Sequence, residues 1–100
     1  MTAAFHLPDF SVVVWLKKSA NFSALRSELL AAAGVEPYEM TEYQGMADFH
    51  WAAPSIADAR DLAGALKAIS QLPEVVLLRI MSRVDHVDSI SIKDQRVTKH

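Results

Sequence analysis

His50 stands between Phe49 and Trp51, and histidine is the side chain whose ordinary titration falls near neutral pH. On a strand, with a carboxylate nearby, it could move a proton, which is the basis for reading the chain as a small α+β enzyme using His50. The favoured reading is a sheet histidine hydrogen-bonded to a neighbour, and no reaction is assigned to it. His86 lies in Asp85-His86-Val87-Asp88, where flanking carboxylates could raise its pKa or hold an ion weakly; the expectation is a solvated turn. The four histidines, His6, His50, His86 and His100, show no HxxH, HxH or HExxH spacing, so no metal site is expected. Glu36, Glu39 and Glu42 are spaced by three, which puts successive carboxylates on opposite faces of a strand and suits edge protection better than a calcium or catalytic site. Lys17-Lys18 could meet an anion but reads as ordinary surface charge.

Phe49 and Trp51 project to one face of a strand, and aromatic pairs on a sheet can stack unpaired bases. That gives a second function class, single-stranded nucleic-acid binding. Asp48 places negative charge where such a surface needs cations, and the net charge of −2 supplies no general positive field. Nucleic acid is therefore not the expected partner, and the rings are expected to fill the core or a dimer interface. The glycines stand alone at Gly34, Gly45 and Gly64, so phosphate-binding loops and nucleophile elbows of the GxGxxG, GxxxxGK and GxSxG types are missing. Without cysteine, thiol chemistry and disulfides are excluded as well. The sequence thus points to no catalytic residue, no cofactor and no metal.

The elements that must position these residues come from periodicity. With 100 residues, 51% of them apolar, the chain has enough material for one self-sufficient core. Residues 10–16 (Phe10, Ser11, Val12, Val13, Val14, Trp15, Leu16) are β-branched and aromatic and follow Pro8, predicting a strand. Phe22, Leu25, Leu29 and Ala32 then recur at three and four, predicting a helix capped by the Asn21 side chain and ended by a left-handed Gly34. Residues 35–43 carry Pro37 and predict an edge strand, a turn follows at 44–47, and residues 48–52 predict the second strand of a hairpin. Ser55 and Asp58 open a second helix in the manner of a capping box, with Ile56, Ala59, Leu62, Leu66 and Ile69 along its apolar stripe and Pro73 beyond its end. Gly64 costs that helix about 1 kcal/mol relative to alanine, which predicts a close neighbour there. Residues 74–82 are nearly continuously apolar and predict a strand covered on both faces, and 87–92 predict a short fifth strand.

This order predicts an α+β, ferredoxin-like βαββαβ sandwich: an antiparallel sheet with both helices on one face. The division is an N-terminal arm (residues 1–9), a single domain (10–93) and a polar C-terminal tail (94–100). Both alternations of the first and fourth strands are apolar, so the helix-free face is expected to be covered, most economically by a second copy. Val13, Trp15, Phe49 and Trp51 are the candidate interaction surface.

Residues 10–81 resemble ACT-like regulatory domains in element order and in the run Asp61-Leu62-Ala63-Gly64-Ala65-Leu66-Lys67-Ala68-Ile69 that leads through Leu72-Pro73-Glu74-Val75 into a strand. In particular they are similar to the soluble C-terminal domain of MgtC/SapB-type membrane proteins. The resemblance implies a regulatory domain serving a larger protein or a membrane-protein partner. Amino-acid-binding ACT domains place an Asp-x-x-Gly-type turn after the first strand. Lys17-Lys18-Ser19-Ala20-Asn21 has no glycine, so no binding residues carry over. The expected function is non-enzymatic: a homodimerising interaction domain, cytoplasmic, with no apolar run long enough for membrane insertion.

Overall fold

The computed structural model describes residues 7–95. Within them the elements are β1 (Phe10–Lys17), α1 (Phe22–Ala33), β2 (Glu39–Tyr43), β3 (Met46–Ala53), α2 (Ile56–Ser70), β4 (Val75–Ser82) and β5 (Ile90–Asp94). His6, His100, the first six residues of the expected arm and the tail from residue 96 lie outside the described residues.

The strands form one antiparallel sheet in the order β2-β3-β1-β4-β5. The molecule is therefore α+β, with an open five-stranded sheet and two helices. That is compatible with a ferredoxin-like arrangement, extended beyond the four-stranded order by β5 beside β4. One sheet face meets both helices. Val12, Val14 and Leu16 from β1, Phe49 and Trp51 from β3, and Leu78 and Ile80 from β4 share a core with Leu25 and Leu29 of α1 and with Ala59, Ala63 and Leu66 of α2.

Ser55 caps α2 by accepting a hydrogen bond from the Asp58 backbone N–H at 3.1 Å, and its hydroxyl donates to the Asp58 carboxylate at 2.8 Å. Gly34 ends α1 in the left-handed region, φ 73°, as its position predicts. Asn21 does occupy the N-cap of α1, but its side chain makes no capping bond. Its backbone angles, φ −96° and ψ 11°, differ from the extended conformation that aims a cap oxygen back at the helix. Gly64 also departs from expectation. A methyl group there would meet no atom within 4 Å, so no close-packed neighbour accounts for the glycine.

β2 begins at Glu39, two residues after Pro37, and is exposed throughout, as an edge strand should be. The hairpin turn is tighter than the sequence pattern suggests: Tyr43 pairs with Met46, leaving only Gln44 and Gly45 between them, with Gly45 at φ 72°. β3 therefore starts at Met46 rather than residue 48. β5 lies further along the chain than residues 87–92. The Lys93 ammonium donates to the carbonyl oxygens of Ser70 and Leu72 at 2.7 and 3.0 Å, anchoring the strand to the end of α2. Asp94, assigned by sequence to the tail, belongs to β5, and the Gln95 backbone N–H donates to Val76. Residues 85–88 form an exposed turn with His86 at φ 68°. No helix among the described residues is long and apolar enough to cross a membrane.

Candidate functional site on the helix-free sheet face

Strand parity and register decide which side chains share the uncovered face. Val13 pairs with His50 of β3 on one side and Arg79 of β4 on the other, while Trp15 pairs with Asp48 and Leu77. Residues paired across a sheet project to the same face. The result is two adjacent rows, His50–Val13–Arg79 and Asp48–Trp15–Leu77, with Met81 paired to Ser11 in the next.

These side chains line a cavity of about 180 Å³: Val13, Trp15, Asp48, His50, Leu77, Arg79 and Met81. Val13 and Leu77 are 4% and 1% exposed although neither belongs to the core shared with the helices. One end of the face is tied down at Ser11, fully buried, whose hydroxyl lies 3.0 Å from the Tyr38 hydroxyl and accepts from the Arg83 guanidinium at 2.9 Å. Tyr38 in turn meets the His50 ring edge-on, centroids 6.0 Å apart.

The polar side chains at the cavity are incompletely satisfied. His50 Nε2 stands 3.5 Å from Asp48 Oδ2, with the two side chains 21% and 18% exposed. Asp48 Oδ1, His50 Nδ1 and Arg79 Nε are buried and have no hydrogen-bond partner. A buried polar group without a partner costs roughly 1–3 kcal/mol, and native proteins leave few of them. Three around one cavity make it the candidate site, because they leave hydrogen-bonding capacity there that the chain's own groups do not use. A carboxylate oxygen can accept, a guanidinium Nε–H can donate, and an imidazole nitrogen can do either according to its tautomer.

The candidate surface named from sequence is divided by this geometry. Val13 and Trp15 belong to the helix-free face. Phe49 and Trp51 belong to the other, 0% exposed beneath the helices; their rings stack 5.9 Å apart, and the Trp51 indole N–H donates to the Val35 carbonyl at 2.9 Å. Phe49 and Trp51 do share one face of β3, but the register that aligns Val12, not Val13, with Trp51 places these rings in the core. No base can stack on them in this fold. Asp48, which the sequence marks only as a charge unfavourable to nucleic acid, and Arg79, which it does not single out, both line the candidate site. The available signal for Arg79 was a lone charge within the apolar strand from Val75 to Ser82.

Away from this face, charged groups at the β2 edge pair with one another. Lys18 pairs with Glu42 at 3.0 Å, Arg26 approaches the same carboxylate at 3.6 Å, and both cations flank the Phe22 ring. Glu39 and Glu42 fall on opposite faces of β2, as their spacing requires. No group of three or more metal-ligating side chains occurs among the described residues. Comparison of the chain with protein-family models, with characterised proteins and with solved structures gives no match.

Proposed function

We propose that this chain is a non-enzymatic interaction domain that self-associates through the helix-free face of its sheet. The observation that carries this reading is the cavity above Val13, where apolar side chains and three buried, unpartnered polar atoms occur together without a helix to cover them. A second sheet packed on the first at about 10 Å would cover the partly exposed Trp15 and Met81 and supply the missing polar partners. The ferredoxin-like arrangement and the resemblance to ACT-like regulatory domains support a role in regulating a larger protein or complex.

Acid–base catalysis by His50 finds less support. A base and the group that orients it need contact at about 2.6–3.2 Å, and His50 and Asp48 are 3.5 Å apart.

Sedimentation equilibrium over a wide concentration range tests the proposal. The expected result is a reversible dimer at micromolar concentration. Met81→Lys, which adds charge at a partly exposed wall of the cavity, should weaken that dimer by roughly tenfold or more. A wild-type chain that stays monomeric at high micromolar concentration would overturn the reading.

A further inference from the structure

We infer that two copies meet about a two-fold axis running along β1, with Arg79 of each copy entering the cavity of the other to bind Asp48. This rests on the self-association reading and specifies its partner and contacts.

The face carries its charges asymmetrically. Asp48 and His50 lie on β3 and Arg79 on β4, with β1 between them. Neighbouring strands are about 4.8 Å apart, so the acid-bearing and base-bearing strands are separated by about 9.5 Å across the face. Within one copy the guanidinium Nε and the Asp48 carboxylate remain without a shared bond.

Rotation by 180° about an axis along β1 exchanges the two sides of the face. It sets β4 of the second copy over β3 of the first, and the reverse. Because Arg79 and His50 are both in register with Val13, the incoming guanidinium arrives opposite His50. The Asp48 carboxylate already leans toward that row, since its Oδ2 lies 3.5 Å from His50 Nε2. The same operation creates the contact twice, as an isologous interface requires. Each copy's unpartnered acceptor thus receives the other's unpartnered donor, and the Val13 and Trp15 rows of the two sheets face one another across the axis. Charge complementarity of the face with its own rotated image identifies the occupant as a second copy of this chain. A small anion or an unrelated protein has no need of acid and base placed symmetrically about β1.

Complementary charge reversal tests the pairing. Asp48→Lys alone brings two cations together at both contacts, and Arg79→Glu alone brings two carboxylates together. Each should weaken the homodimer roughly 30-fold or more. Mixing the two variants restores opposite charges at both contacts, so native mass spectrometry should show the heterodimer far above its statistical share. If the wild type dimerises, but neither reversal weakens it and the mixture is statistical, the Arg79–Asp48 pairing fails while self-association stands. If the wild type is monomeric, the self-association reading fails and the pairing with it. Should a reversal impair folding, the absence of native cysteine provides another measurement: Asp48→Cys and Arg79→Cys chains, mixed and oxidised, should form a disulfide-linked heterodimer in preference to either homodimer. Preference for a homodimer would overturn the proposed axis.

Discussion

Single residues show where sequence pattern is sufficient and where it is not. Gly34 and Gly64 are the same residue under different demands. Gly34 holds a left-handed φ of 73° at the end of α1, whereas Gly64 lies in α2 with open space where a methyl group would go. Alanine at position 34 must adopt an unfavourable backbone conformation, and Gly34→Ala should lower stability by about 1 kcal/mol. Gly64→Ala should raise it by about 0.5–1 kcal/mol, because alanine restricts the unfolded chain and favours helix. Urea denaturation of both variants checks these opposite signs. Gly34 was legible because helix ends have a local chemical signature. The reason expected for Gly64 was wrong because helix propensity gives the cost of a glycine but says nothing about its surroundings. Asp48 and Arg79 were obscured differently: a charge in a strand acquires its neighbours through register, which depends on residues far away in the chain.

Elements were easier to identify than to bound. Alternation and the three–four repeat located all seven elements in order, while hydrogen bonds from other parts of the chain set their limits. β5 is the clearest case. Its sequence alternation suggests an earlier start, but Lys93 fixes its position by donating to Ser70 and Leu72 at the end of α2. Lys93→Met leaves those carbonyls without their charged donor and should cost about 1–2 kcal/mol, measurable by urea unfolding. Its pH dependence has a defined sign. Burial, and secondarily the charge of Lys17, lowers the Lys93 pKa from its ordinary 10.5. Between the lowered folded value and the unfolded one, the unfolded chain binds more protons, so stability rises with pH. Relative to Lys93→Met, the wild type should therefore gain stability as pH approaches 10.5 from below.

For the whole molecule, the order β2-β3-β1-β4-β5 divides buried core from candidate interface. The two faces of β1 and β4 are both apolar in sequence, which is the pattern behind the expectation that the helix-free face is covered. What alternation could not supply was the match between strands. Val13 and Trp51 were grouped together, although the β1–β3 register sends them to opposite faces. If the helix-free face joins two copies, folding and association are coupled, and the melting temperature should rise with protein concentration. Differential scanning calorimetry at several concentrations checks this, and Met81→Lys should flatten the dependence.

The central position of β1 also imposes an order of events during synthesis. Its partners β3 and β4 both follow it in the chain, so β1 is made before either of the strands that hydrogen-bond to it. β1 ends at Lys17 and β4 at Ser82, a separation of 65 residues. At the usual rate of about 5–20 residues per second, roughly 3–13 s pass between completion of the two strands on the ribosome. Throughout that interval, the apolar segment from Phe10 to Lys17 must avoid pairing with other nascent chains.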